Sequence, residues 1–120
     1  MTLTIARTAT FASLWKYWDL NDEDLRALES QLIENPLAGK VMRNTGGVRK
    51  MRFAPRSRGA GKSGAFRLCC FHFPRHAVAY LVLLFPKSEQ PNLTADQEKM
   101  CRALAKQIKV ALDRPSDARD

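Results

Sequence analysis

Apolar residues recur at helical spacing near the start of the chain. Phe11, Leu14, Trp15 and Trp18 fall on one side of a helix, which predicts a short amphipathic helix in this region. The residues before it, 2–5, are rich in β-formers and predict a short strand.

A second helix is predicted after Asn21, a residue that favours the N-cap position. Three acids follow it, where the positive end of the helix dipole stabilises them: Asp22, Glu23 and Asp24. Four apolar residues then form one stripe: Leu25, Leu28, Leu32 and Ile33. Pro36 ends this helix around Asn35, because the residue before a proline disfavours the helical conformation.

The middle of the chain predicts strands. Residues 48–53 alternate between cationic and apolar side chains, as in a half-buried strand. Met51 and Phe53 then face the core, and Lys50 and Arg52 share the opposite, outward face.

Two more strands are predicted, at residues 65–73 and 77–85. They are separated by a turn at Pro74 and Arg75. The second is an almost continuous apolar run, which indicates a strand covered on both faces in the middle of the sheet. Residues 55–64, rich in Gly, Ser, Arg and Lys, predict a flexible basic hairpin loop before these strands.

A long amphipathic helix is predicted near the C-terminus. Thr94 and Gln97 have the spacing of a capping box. Five apolar residues follow on one helical face: Met100, Cys101, Leu104, Ile108 and Ala111. Four cations lie opposite them: Lys99, Arg102, Lys106 and Lys109.

The order of these elements predicts the α+β class. We expect a small antiparallel sheet with two N-terminal helices and a C-terminal helix packed on it. The length of 120 residues suits one domain, residues 1–120, in which residues 113–120 form a frayed tail.

The net charge of +8, from 20 Lys and Arg against 12 Asp and Glu, predicts anionic partners. Nucleic acid is the commonest such partner, but an acidic protein or an anionic membrane is also attracted by charge alone. The longest apolar stretch, residues 77–85, is far shorter than the roughly 20 residues that span a bilayer. Because residues 1–10 also lack the pattern of a secretory signal, we expect a cytoplasmic protein without a membrane partner.

The three cysteines indicate buried thiols rather than a disulfide framework. Cys69 and Cys70 are neighbours on one strand and point to opposite faces, and Cys101 lies on the last helix. Together with Cys70, His72 and His76 lack a recurrent zinc-ligand spacing. We therefore expect no metal site.

A Gly-Lys-Ser turn at residues 61–63 suggests a phosphate-binding loop at first sight. The P-loop spacing requires a glycine where Arg56 stands, and the motif has to lead into a helix, whereas residues 65–73 predict a strand. We therefore do not expect a nucleoside triphosphatase.

The strongest candidate chemistry is a group of cations. Lys50 and Arg52 share a strand face, and antiparallel pairing across the hairpin brings Arg67 toward the same surface. Such a group can hold an RNA phosphate and stabilise the charge that develops when a ribose 2′-hydroxyl attacks it, without a metal or other cofactor. From the residues alone, we favour the simpler interpretation that these are solvated charges that discourage aggregation.

Several segments resemble the RelE/HigB toxins of bacterial toxin-antitoxin modules, within the RelE/ParE superfamily. The resemblance is carried by residues 20–39, 44–53, 61–67, 86–89 and 93–97, in the order and spacing of the family. It implies a RelE-like sheet whose concave face cuts messenger RNA in the ribosomal decoding site. It also implies a cognate antitoxin, often a helix-turn-helix protein, that blocks the toxin.

The resemblance also assigns roles to residues. Lys50 and Arg52 match the positions used for phosphate binding and proton transfer, and Arg67 matches the arginine that stabilises the transition state. Lys87 is a fourth catalytic candidate. Further candidates for RNA binding are Arg49 and three cations of the basic loop, which fit a mobile loop without a ligand equally well: Arg56, Arg58 and Lys62.

Two other functions stay open at this point. The same basic surface serves a binding module that docks on an acidic partner or nucleic acid without cutting it. Relatives with the same architecture poison DNA gyrase, because a fold does not fix a function.

Overall fold

A computed structural model describes residues 3–58, 65–90 and 92–114 and shows five strands and three helices. In chain order they are β1 (Thr4–Arg7), α1 (Ala9–Tyr17), α2 (Asp22–Glu34), β2 (Lys40–Val41), β3 (Arg49–Phe53), β4 (Phe66–Phe73), β5 (Val78–Pro86) and α3 (Ala95–Asp113). The predicted α+β class is confirmed.

The five strands form one sheet in the order β1-β5-β4-β3-β2. Neighbours are antiparallel except that β1 pairs with β5 in parallel, so the sheet is mixed, although the prediction was antiparallel throughout. The expected buried strand at residues 77–85 is confirmed as an interior strand, flanked by β1 and β4. The exact middle of the sheet is β4 instead, because β1 alone lies outside β5 whereas both β3 and β2 lie beyond β4. The two-residue β2 was not predicted.

The first two helices begin at side-chain caps. The Thr8 hydroxyl accepts a hydrogen bond from the Phe11 N–H at 3.1 Å. Asn21 and Asp24 form a capping box, in which each side chain accepts from the other residue's backbone N–H. Asn35 is the C-cap of α2, as Pro36 predicts.

The sheet separates two apolar clusters. On one face, α1 and α2 contribute Phe11, Trp15, Leu28 and Leu32 to a cluster that contains Met51, Phe53, Phe66, Leu68, Cys70, Leu81 and Leu84 from the strands. We call this the α1/α2 face. On the other, the α3 face, Cys101, Ala105 and Ile108 of the helix pack with Val48, Cys69, Phe71, Val82, Leu83 and Phe85.

The buried carboxylate of Asp24 connects α2 to the segment after β3. Asp24 is only 3% exposed. Besides capping the helix, it accepts hydrogen bonds from the backbone N–H and the hydroxyl of Ser57. These bonds fix the short 3₁₀ turn at Arg56–Arg58, which starts the predicted basic loop. Residues 59–64, the rest of that loop, lie outside the described part of the chain.

The loop between β2 and β3 docks on α3. Inside the loop, the buried Thr45 hydroxyl donates to the Met42 carbonyl and accepts from the Val48 N–H. The Arg102 guanidinium donates to the Asn44 carbonyl at 2.7 Å. Gly46 has φ +79°, and a Cβ added there would lie 2.8 Å from the Cβ of Ala105. The loop and α3 therefore approach each other at a residue without a side chain.

α3 has the predicted capping box of Thr94 and Gln97. It extends through Asp113, the first residue of the expected tail, whose carboxylate lies 3.1 Å from His76 Nε2. Residues 115–120 lie outside the described residues. No helix in the described part of the chain is both long and apolar enough to cross a membrane.

All three cysteines are free and buried, as predicted. Cys69 and Cys101 belong to the cluster on the α3 face, and Cys70 belongs to the opposite one. Burial raises the pKa of Cys69 and of Cys70 to about 12 and also raises the pKa of Cys101. These thiols are therefore protonated in the folded protein at neutral pH.

The close approach at Gly46 predicts a difference between two neighbouring alanine substitutions. Gly47 also has a positive φ, +113°, but a Cβ added there meets nothing within 4 Å. Both substitutions strain the backbone by about 1–2 kcal/mol. Gly46→Ala additionally clashes with Ala105, so it should lower the free energy of unfolding by about 1–3 kcal/mol more than Gly47→Ala. Urea denaturation measures both losses, and equal losses would contradict the packing.

The buried thiols predict protection from alkylation. The thiolate is the reactive form, so at pH 8.5 iodoacetamide should leave the native chain unmodified and label the three cysteines of the urea-unfolded chain. The folded chain keeps protons that unfolded thiols release above their ordinary pKa of 9.0. The protonated thiols therefore contribute to the free energy of unfolding below pH 9, and this contribution is lost as the pH rises toward 12. Mass spectrometry counts the labels; native labelling at the unfolded rate would disprove the protection.

Candidate functional site

Strand pairing brings three cations together on the α3 face of the sheet. In the register of β3 with β4, Arg52 lies directly opposite Arg67, and Lys50 lies opposite Cys69. Direct cross-strand partners share a face, and Met51 between them is buried on the α1/α2 face. The predicted group of Lys50, Arg52 and Arg67 therefore exists as one cluster, which we call the cation cluster.

The cation cluster lies at the boundary between core and solvent. Lys50 and Arg67 are half-buried, and Arg52 is exposed. Burial raises the pKa of the neighbouring Cys69 thiol, and the positive charges of Arg67 and Lys50 act on the same thiol in the opposite direction. Both cations therefore lie near the Cys69 side chain, on the α3 face of β4.

No described carboxylate neutralises the cation cluster. Within the described ranges the only contact closer than 4 Å between an acidic and a basic side chain joins His76 and Asp113, in another part of the molecule. The side chains of the cluster donate no hydrogen bond to a described residue. Because like charges opposite each other on a sheet repel, this arrangement favours a bound anion.

Lys40 joins this surface, although the sequence pattern does not predict it. It pairs directly with Lys50 across β2 and β3, so its exposed side chain shares the same face. Gly39 before it, at φ +83°, lets the chain approach β3 closely, because a Cβ there would lie 2.0 Å from the Lys50 carbonyl oxygen. The sequence signal for Lys40 was a glycine followed by a lysine. A strand of two residues is too short to show the alternation that predicts a strand.

Lys87 lies at the same end of the sheet as Arg67. It follows β5, whose Phe85 pairs with Arg67, and its backbone N–H donates to the Ala65 carbonyl at 3.2 Å. Its side chain is exposed in the turn that begins at Pro86. The structure places this fourth candidate beside the cation cluster rather than within it.

Arg49 is not part of the cluster. Being adjacent to Lys50 on β3, it faces the α1/α2 side, where its guanidinium donates to the carbonyls of Leu37 and Gly39, both at 3.1 Å. Burial lowers the pKa of His72, and the charge of Arg49 lowers it further. Arg49 thus holds the segment before β2 against the sheet.

The remaining RNA-binding candidates belong to the segment after β3. Arg56 is exposed and begins the 3₁₀ turn that Asp24 anchors through Ser57, and Arg58 ends that turn. Lys62 lies outside the described residues, as does the Gly-Lys-Ser turn of residues 61–63.

The residues considered for a metal do not converge. Cys70 and Cys101 lie on opposite faces of the sheet, and His76 contacts Asp113. Across residues 3–58, 65–90 and 92–114, no three His, Cys, Asp or Glu side chains are grouped as metal ligands.

The cation cluster can bind a phosphate and polarise it. Its members present lysine and arginine N–H donors, which form strong charge-assisted hydrogen bonds to phosphate oxygens. Neither histidine belongs to it, because His72 pairs with Ala79 farther along β4 and His76 lies in the β4–β5 turn. Any proton transfer at this site therefore involves a cationic side chain, water or the substrate itself.

Comparison with known families places these features in context. A family model described as the RelE toxin of the RelE/RelB toxin-antitoxin system matches residues 3–115. The match spans nearly all of the 120 residues and includes the whole sheet, the cation cluster and α3. The chain therefore belongs to the RelE toxin family and is the toxin of a toxin-antitoxin pair, with an antitoxin as its partner.

Proposed function

We propose that this toxin is an endoribonuclease that cuts messenger RNA on the ribosome and so inhibits translation. The observation that carries the proposal is the cation cluster, which has no counter-charge among the described residues and lies on the open side of β3 in a RelE-family toxin. The catalytic candidates are Lys50, Arg52, Arg67 and Lys87.

The proposed reaction is an internal displacement at phosphorus. The ribose 2′-oxygen gives its proton to water and forms a bond to the adjacent phosphorus. The bond from phosphorus to the 5′-oxygen breaks, and that oxygen takes up a proton from water or from Lys50. The products are a 2′,3′-cyclic phosphate and a 5′-hydroxyl. Negative charge grows on the non-bridging oxygens, where Arg67 and Lys50 stabilise it, while Arg52 holds the phosphate.

The described part of the site supports the proposed dependence on the ribosome. Proteins that hold single-stranded RNA by themselves stack its bases on exposed aromatic rings. Tyr17 is the one strongly exposed aromatic residue in the described part of the chain, and α1 carries it on the opposite face. Because the cation cluster holds phosphate without a stacking platform, we propose that the ribosome positions the message.

The antitoxin neutralises the toxin in this proposal by keeping RNA away from the cation cluster. We propose a helix-turn-helix protein for this role. A protein that covers the cluster supplies carboxylates for Lys50, Arg52 and Arg67, which the described part of the toxin does not.

Substitution of Arg67 tests the proposed reaction. Wild type should arrest growth of a bacterial host and produce cuts in several messages, seen by primer extension. Arg67→Ala should reduce cutting about 100-fold or more, because it removes a charge that stabilises the transition state. Arg26→Ala, which removes an exposed cation from α2 on the other face, should cut like wild type.

Other outcomes identify the alternatives. Growth arrest with DNA damage and intact messages would support a gyrase-directed toxin instead. Salt-dependent RNA binding without cleavage products on ribosomes would support a binding module. Equal cutting by wild type and Arg67→Ala would remove the cation cluster from the mechanism. Circular dichroism of each variant verifies that its fold is retained.

A further inference from the structure

A second group of cations lies on α3, outside the proposed catalytic site. Lys99, Arg102, Lys106 and Lys109 are all exposed, and their spacings of three and four residues place them along one side of the helix. We call this group the α3 stripe. Between its first and last members, about 15 Å apart along the helix axis, the sequence contains no acid.

The α3 stripe is unlike an ordinary solvated helix face. Such faces usually alternate acids and bases, so that side chains three or four residues apart attract one another. Within the stripe every such neighbour is another cation. The acids at these spacings lie outside it: Asp96, Glu98 and Asp113. The acids of α3 lie near its two ends, and the described residues place none of them within 4 Å of the stripe. The charge of the stripe is therefore available to a ligand.

Further cations lie beside the α3 stripe. Arg102 donates to the Asn44 carbonyl, which brings the exposed Arg43 beside the stripe. Lys109 lines a cavity together with Arg75 of the β4–β5 turn, and Asp113, which contacts His76, lines the same cavity. The opposite side of the helix is fixed to the sheet by Cys101, Ala105 and Ile108, so the stripe is a straight and rigid row.

We propose that the α3 stripe binds the phosphate backbone of helical, double-stranded RNA. α3 contains no aromatic residue, so it offers no platform on which the bases of a single strand can stack. A rigid row of cations instead suits the regular phosphates of a duplex, which proteins recognise by shape and backbone contacts. The inference rests on the proposed function only in taking RNA as the ligand.

The consequence is a toxin with two separate RNA contacts. The cation cluster holds the strand that is cut, and the α3 stripe anchors the toxin on a neighbouring RNA helix. The two surfaces belong to different elements, one to strands β3 and β4 and the other to the solvent side of α3. They can therefore be removed independently.

A matched pair of double variants tests the α3 stripe without ribosomes. Lys106→Ala/Lys109→Ala removes two exposed cations from the end of the stripe farther along α3. Lys16→Ala/Arg26→Ala removes two exposed helical cations from α1 and α2. Binding of the full chain to a labelled RNA duplex of about 20 base pairs is measured by fluorescence anisotropy at several salt concentrations.

The stripe variant should bind the duplex about tenfold more weakly at 0.1 M salt, and its salt slope should fall by about 2, one for each lost phosphate contact. The control variant should keep the slope of wild type. Arg67→Ala should also bind the duplex like wild type, although it no longer cleaves. A chain that meets these expectations but cuts no message would contradict the proposed function and leave this inference intact.

Three results would overturn the inference. Equal losses in both double variants would mean that binding follows net charge alone. Equal affinity of wild type for the duplex and for one of its single strands would remove the preference for helical RNA. If the stripe variant loses binding to poly-glutamate but keeps its binding to the duplex, the stripe recognises an acidic protein.

Discussion

The antiparallel pairing of β3 with β4 is the constraint on which both the core and the candidate site depend. Its register places Met51 and Phe53 in the cluster under α1 and α2, and it sets Arg52 opposite Arg67 on the other face. A slip of one residue would exchange the faces, burying cations and exposing the apolar side chains. The burial of Met51 and Phe53 thus fixes the position of the cations, although the cations themselves repel one another.

The C-terminal helix determines how much of the α3 face stays open. Its buried residues pack on Cys69 and Phe71 of β4 and on Leu83 and Phe85 of β5. Val48, just before β3, packs in the same cluster. The hydrogen bond from Arg102 to the Asn44 carbonyl holds the β2–β3 loop against α3. The helix therefore covers the apolar part of the face and leaves the cationic part of β3 accessible. The apolar cluster of the α3 face therefore lies beside charges that have no partner in the described residues.

Much of this arrangement was predictable from local pattern. Alternation along residues 48–53 predicts which side chains of β3 face the core, and the caps at Asn21 and Thr94 mark helix starts that the structure confirms. The meeting of Lys50, Arg52 and Arg67 also follows, because a hairpin pairs neighbouring strands. The same alternation places Arg49 on the opposite face, although it was predicted as an RNA-binding candidate.

The features that were not predicted depend on contacts between distant parts of the chain. The parallel pairing of β1 with β5 joins residues more than 70 positions apart, and it moves the centre of the sheet to β4. Lys40 enters the site through a strand of two residues, too short to show a period. The docking of Gly46 against Ala105 requires knowing where α3 lies. In each case the sequence contains the residues, but the tertiary structure decides their neighbours.

Nuclear magnetic resonance can show whether RNA phosphate binds at the cation cluster. A ¹⁵N-labelled chain is titrated with a short single-stranded RNA whose 2′-hydroxyls are methylated, so that it binds without being cut. Binding at the cluster should give saturable shifts in the side-chain signals of Arg52 and Arg67 and in the backbone signals of β3 and β4. Shifts confined to α1 and α2, with the signals of Arg52 and Arg67 unchanged, would contradict it.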